Sequence, residues 1–199
     1  MTAPLSPPRV LVAYASKHGQ TRLVAERIAA VVADLGLDAD LRDLETRDAD
    51  PWPPDYAGVA VAASIHAGHH QKRVEHWAQA HATTLGLRPS AFVSVSLTAA
   101  DDSDEARARV RELIDAFADE TGWYPTETLA CAGALKYREY DVATRVLMRL
   151  IARHHGAPTD VHEDVEFTDW DAVERFARAF FADVARHTAT SQPPKQATR

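Results

Sequence analysis

Hydrophobic positions along the chain follow two alternating rhythms. Residues 10–15 form a nearly continuous apolar run, the pattern of a strand buried on both faces. After a polar turn, Val24, Ile28, Val31, Val32 and Leu35 recur at helical spacing, which predicts a helix over 21–35 closed by Gly36. Residues 37–44 alternate and predict a second strand. A Pro-rich loop at 50–55 leads to another apolar run at 58–63 and to a helix over 70–85 that stops before Gly86. Residues 91–97 and 128–134 predict two more strands. Between them a helix over 101–121 places Val110, Leu113, Ile114 and Phe117 on one face. Such alternation predicts an α/β fold, a parallel sheet with helices on both faces. Ligands of these sheets sit beyond the carboxyl ends of the strands, so chemistry is expected in the loops after Ala15, Ala63, Leu97 and Ala134.

Composition narrows the range of partners. The 199 residues are 46% hydrophobic and 26% charged, which excludes a wholly disordered or collagen-like chain. With 22 Lys and Arg against 29 Asp and Glu the net charge is −7, so a protein built to neutralise nucleic-acid phosphates is not expected. The single cysteine, Cys131, leaves no intramolecular disulfide and no Cys-rich zinc site, and a reducing, cytoplasmic setting is the expectation. No apolar run approaches the roughly 20 residues of a membrane span. Residues 1–8 lack the basic start and apolar stretch of a signal peptide. Those eight residues and residues 188–199, rich in Thr, Ser, Gln and Pro, are expected to be disordered around one domain at 9–187.

The loop after the first strand, Ser16-Lys17-His18-Gly19-Gln20-Thr21, runs directly into a helix. Hydroxyls at both ends, a glycine that admits an anion to the backbone N–H groups, and the positive end of a helix dipole suit a phosphate. The nucleotide-triphosphate and dinucleotide glycine patterns are absent, so a monophosphate fits best; a polar turn with a Ser or Thr cap is the alternative. The second loop, Ser64-Ile65-His66-Ala67-Gly68-His69-His70, has three histidines but no carboxylate to complete a zinc motif, and no metal is expected. It suits the edge of a planar ring. Ser96-Leu97-Thr98-Ala99-Ala100 and Gly133-Ala134-Leu135-Lys136-Tyr137 could add hydrogen bonds and an aromatic cover, or could be ordinary loops.

Taken together, these residues resemble the flavodoxin family and, within it, the quinone-dependent protoporphyrinogen dehydrogenases. The broad resemblance rests on the Ser16–Thr21 loop. The narrower one rests on Ala63-Ser64-Ile65-His66-Ala67-Gly68-His69, Pro89-Ser90-Ala91-Phe92, Ser94-Val95-Ser96-Leu97, Ala132-Gly133-Ala134-Leu135-Lys136-Tyr137 and Thr168-Asp169-Trp170, with Leu150-Ile151, Gly156 and Thr159-Asp160 between. It implies a flavodoxin-like, doubly wound, five-stranded parallel sheet of order 2-1-3-4-5 and one FMN. Ser16, Lys17, His18, Gly19, Gln20 and Thr21 would hold the phosphate. Ser64, Ile65, His66, Ala67, Gly68, Leu97, Thr98, Ala99, Leu135, Lys136 and Tyr137 would line the isoalloxazine. The implied reaction oxidises protoporphyrinogen IX to protoporphyrin IX in haem biosynthesis and passes the electrons to menaquinone or ubiquinone. The cofactor carries the hard chemistry, and His66, His69 and Tyr137 are the candidates for proton handling.

Charge is unevenly spread along the chain. Asp101-Asp102-Ser103-Asp104-Glu105 is acidic, as a helix start favours. Residues 142–154 predict a helix with Val146, Leu147, Leu150 and Ile151 on one face and Arg145, Arg149 and Arg153 at four-residue spacing, after Lys136 and Arg138. Arg138, Arg145 and Arg149 could meet substrate carboxylates or an anionic membrane surface, giving peripheral contact at the inner face of the cell membrane; a solvated helix face is the alternative. Two other functions compete: a flavodoxin-like electron carrier, favoured by an acidic surface, and a small-quinone reductase using NAD(P)H.

Overall fold

The chain is described from a computed structural model over residues 6–46, 51–135 and 165–190. The order is β1 (Arg9–Ala15), α1 (Gln20–Asp34), β2 (Asp38–Asp43), β3 (Gly58–His66), β4 (His69–His70), α2 (Lys72–Gly86), β5 (Ser90–Ser96), α3 (Asp104–Thr121), β6 (Glu127–Ala132), β7 (Ala134–Leu135), β8 (Val165–Glu166) and α4 (Trp170–Thr190). The five long strands stand in the order β2-β1-β3-β5-β6, all parallel. Counted among themselves they give the expected 2-1-3-4-5. The detail that differs is β4, which pairs antiparallel with β3, and a separate β7–β8 ribbon.

Successive residues of β1 serve opposite faces, as a strand requires. Val10, Val12 and Tyr14 join Val24, Ile28, Val31 and Val32 of α1 and Val173, Ala177, Phe181 and Val184 of α4. Leu11, Ala13 and Ala15 join Val74, Trp77 and Leu85 of α2 and Val110, Ile114 and Phe117 of α3. Both faces of the sheet are thus covered, which is why its strands read as continuous apolar runs. On the α2–α3 side Phe92 and Phe117 stack 4.2 Å apart, and Trp123 Nε1 donates to Ser90 Oγ at 3.0 Å.

Several predicted boundaries move for identifiable reasons. The helix expected from residue 70 begins at Lys72 because His70 is hydrogen-bonded into the hairpin opposite Ile65. The helix expected from residue 101 begins at Asp104: Asp101 Oδ1 accepts from the Ser103 N–H, and Ser103 Oγ then caps the Ala106 N–H. The strand expected over 128–134 ends at Ala132. There the Gly133 N–H donates to the Ser96 carbonyl and the Gly133 carbonyl accepts from the Phe167 N–H, turning the chain out of the sheet towards β8. No element is read from the sequence over 170–190, which α4 occupies. Gly58 permits its close approach, since a Cβ there would lie 2.8 Å from Val184 Cγ2. The helix predicted at 142–154, with Arg138, Arg145, Arg149 and Arg153, lies outside the described residues, as do Lys136 and Tyr137.

Candidate functional site

At the carboxyl end of β1 the chain turns through Ser16–Gly19 into α1. Gly19 is the N-cap and sits in the left-handed region at φ 83°, where a side chain would be strained. Among the described residues no side chain caps this helix, and its first turn holds no acidic residue. The Ser or Thr cap that the loop's composition allowed is not among these contacts, so the orphan first-turn N–H groups could receive an anion. Among the described residues Ser16 Oγ is buried with no hydrogen-bond partner. A hydroxyl hidden without a partner beside an uncapped helix start fits a phosphate oxygen as its missing acceptor. Thr21 is buried, Lys17 is exposed, and His18 is half-buried.

Gln20 is placed differently from the expectation. Its amide Nε2 donates to Glu166 Oε1 at 2.7 Å and to Thr168 Oγ1 at 2.9 Å, and Thr168 Oγ1 donates to the Ala132 carbonyl at 2.8 Å. The side chain ties the loop to β8 and to the end of β6. Gln71 ties the other flank. Oriented to satisfy its neighbours, its amide nitrogen donates to the Ala15 carbonyl and to Ser64 Oγ (3.2 Å), and its oxygen accepts from the Lys17 N–H at 3.3 Å. Neither tether has a local sequence signal.

The segment read as a loop at 64–70 is a hairpin. Ser64, Ile65 and His66 continue β3, and only Ala67 (φ 50°) and Gly68 (φ 83°) form the turn, both left-handed as a two-residue I′ turn requires. The three histidines therefore part company. His70 points inward: it is buried, its Nε2 lies 2.9 Å from Ser94 Oγ, and its ring meets the edges of Phe92 and Phe117 at 5.0 and 5.1 Å. Burial, with the nearby charge of His69, holds its pKa down to about 4, so it is a neutral core residue. His69 is exposed. His66 stays at the site, hydrogen-bonded to Ser64 Oγ (3.2 Å) and set edge-on to His18 with centroids 5.2 Å apart. Its pKa is lowered by burial first and then by His18 and Lys17, which favours a neutral imidazole at the junction of the two loops.

Across the sheet from the hairpin, Thr98–Ala100 form one 3-10 turn whose Ala99 N–H donates to Ser96 Oγ at 3.2 Å. Leu97, Thr98 and Ala99 are half-buried and Leu135 lies in β7. The fold therefore gathers the loops after β1, β3, β5 and β6 at one end of the sheet, the place expected for a ligand. Among the described residues no three His, Cys, Asp or Glu side chains converge as metal ligands do. Cys131 is buried, and desolvation, with Asp169 nearby, pushes its thiol up to about 12, so it is no nucleophile.

Comparison with known proteins agrees with this geometry. The family model "Flavodoxin domain" matches residues 11–162. The protoporphyrinogen IX dehydrogenase (quinone) of Escherichia coli strain K12 is 32% identical over 170 residues, covering 85% of this chain and 93% of that protein. The protein of the same name from Leishmania major is 33% identical over 177 residues, 88% of this chain and 75% of that protein. Among solved structures, oxidised flavodoxin 2 from Bacillus cereus superposes with a TM-score of 0.56 at 18% identity, covering 88% of this chain and 99% of that one, a likeness of fold. The chain belongs to the flavodoxin domain family, whose cofactor is FMN, and within it to the oxidoreductases grouped with the quinone-type protoporphyrinogen IX dehydrogenases.

Proposed function

We propose that this chain oxidises protoporphyrinogen IX to protoporphyrin IX and delivers the electrons to a quinone. The observation that carries the reading is the joint one of a relative of that activity aligned over 93% of its length and a built anion cradle whose Ser16 Oγ is buried without a partner. FMN supplies the capacity to accept electrons from a reduced tetrapyrrole and hand them to a quinone. The protein's share is placement. Ser16 Oγ and the backbone N–H groups of Gly19–Thr21 hold the phosphate, and the Gln20 and Gln71 tethers fix that loop between β8 and the hairpin. Ser64–Gly68 and Leu97–Ala99 flank the ring site, joined by Leu135 and, beyond the described residues, Lys136 and Tyr137.

His66 is the proton-handling group within this set. Its Nε2 is already hydrogen-bonded to Ser64 Oγ, and a neutral imidazole can take up a proton released from the tetrapyrrole. Of the other two candidates, His69 is exposed and Tyr137 lies outside the described residues. No helix among the described residues is long and apolar enough to cross a membrane. The reading places contact with a membrane quinone at Arg138, Arg145 and Arg149, which lie outside the described residues.

The test is anaerobic turnover of protoporphyrinogen with a menaquinone analogue by FMN-loaded protein, corrected for spontaneous oxidation. Porphyrin should form in proportion to enzyme, and Arg145→Ser with Arg149→Ser should slow turnover with quinone in anionic vesicles more than turnover with a soluble dye. Porphyrin at the background rate would overturn the activity; equal loss in both assays would overturn surface docking.

A further inference from the structure

A cleft of about 690 Å³ opens on the β2 side of the hairpin, within the size range of small-molecule sites. Its wall includes Lys17, Glu45, His66, His69, Lys72 and Arg73. Leu97, Thr98 and Ala99, on the β5 side, do not line it. The strand order explains the separation: Glu45 follows β2 and Lys17 follows β1, while β3 with its hairpin stands between them and β5. The cleft shares Ser16, Lys17 and His66 with the cofactor site, lies on the side of the hairpin away from Leu97–Ala99, and extends towards the start of α2.

Its charge runs against that of the molecule. In a chain of net charge −7, Lys17, Lys72 and Arg73 stand against a single carboxylate, Glu45, on the cleft wall. Among the described residues none of these three cations forms an ion pair with a protein carboxylate. Arg73 is nonetheless fixed, since its Nε donates to the Leu44 carbonyl at 2.7 Å. Lys17 is fixed through its backbone by Gln71. Three exposed cations around one cleft, in no ion pair with a carboxylate among the described residues, are arranged to meet an anion from outside.

We infer that this cleft is a carboxylate subsite, in which Lys17, Lys72 and Arg73 receive the propionate end of a tetrapyrrole while its ring reaches the flavin side of the hairpin. The inference rests on the proposed activity and adds to it a division of labour. The donor substrate carries carboxylates and a quinone carries none, so the subsite selects the donor without touching the acceptor.

Two surface substitutions of opposite sign test it. Lys72→Glu raises KM for protoporphyrinogen by more than the roughly 1.5- to 5-fold expected for losing one exposed charge contact, because it reverses the charge. Glu45→Gln lowers the same KM by about 1.5- to 5-fold, and Lys72→Arg restores the wild-type value. With the propionates esterified, the dimethyl ester responds to none of these, and KM for the quinone analogue and Kd for FMN stay at their wild-type values. Equal responses of diacid and diester overturn the subsite. A shift in FMN Kd that parallels the shift in KM assigns the cleft to the cofactor and overturns it too. Should protoporphyrinogen not be oxidised at all, the proposed activity fails, and mesoporphyrin IX titrated against its dimethyl ester by porphyrin fluorescence decides the subsite alone. Diacid binding weakened by Lys72→Glu and strengthened by Glu45→Gln keeps it; indifference to both removes it.

Discussion

Replacing Ser16 by alanine should move stability and cofactor affinity in opposite directions. Ser16 Oγ is buried with no hydrogen-bond partner among the described residues. A hidden hydroxyl without a hydrogen bond costs about 1–3 kcal/mol, and removing one oxygen from a half-buried loop leaves little cavity. Ser16→Ala should therefore stabilise the FMN-stripped protein by about 1 kcal/mol, a rise of roughly 2–4 °C in Tm for a chain of this size. With FMN present the same oxygen would share a charge-assisted hydrogen bond with the phosphate, worth about 1.5–3 kcal/mol, so Kd should rise by roughly 10- to 100-fold. Urea unfolding of the stripped protein and quenching of free FMN fluorescence measure the two quantities separately. Ser64→Ala is the control. Its hydroxyl is already bonded to His66 and Gln71, so its loss should lower the stability of the stripped protein by about 1 kcal/mol. A Ser16→Ala protein that is less stable without FMN and binds it as tightly as before would refute the reasoning.

Further expectations follow from individual contacts. Gln20→Ala removes two hydrogen bonds to the β8 side, one of them to a carboxylate, and should cost about 1–3 kcal/mol in urea unfolding while weakening FMN binding; an unaltered Kd would show that the tether does not shape the loop. His70, neutral in the fold with a pKa near 4, makes stability fall as pH drops from about 6.5, where the unfolded chain begins to take up the proton, towards 4. Over that window its contribution should approach 3 kcal/mol, and His70→Gln should flatten the slope measured by denaturant titration at each pH. Gly58→Ala pushes a methyl into Val184 and should cost about 1–3 kcal/mol, with Val184→Ala restoring part of it in the double variant; additive losses would place the strain elsewhere.

The parallel sheet and the three helices α1–α3 were legible because the central strands read as continuous apolar runs and each helix buries an apolar pattern of period 3.6, whereas the strand order was legible only through the family resemblance. The turn into α1 was legible too, since a glycine before an apolar helix is a local feature. The hairpin was not. Ser64-Ile65-His66 has no apolar alternation, and the left-handed turn begins with Ala67, where Asn or Gly would have signalled it. Composition could not separate His69 from His70 either; neighbouring strand residues face opposite ways, and one side is the core. The tethers of Gln20 and Gln71 depend on tertiary placement, the first bridging residues 146 and 148 apart in sequence. In contrast α4 carries Val173, Ala177, Phe180, Phe181 and Val184 at helical spacing, so its pattern was present in the sequence.

The reductive half-reaction tests the central claim most directly. FMN-loaded protein is mixed anaerobically with protoporphyrinogen IX in the absence of quinone, and the yellow flavin absorbance is followed with porphyrin fluorescence. The account predicts that flavin absorbance is lost as oxidised tetrapyrrole appears, and that adding a quinone analogue restores it. Flavin that stays oxidised under protoporphyrinogen, yet bleaches with NAD(P)H or with a reduced protein partner, would contradict it.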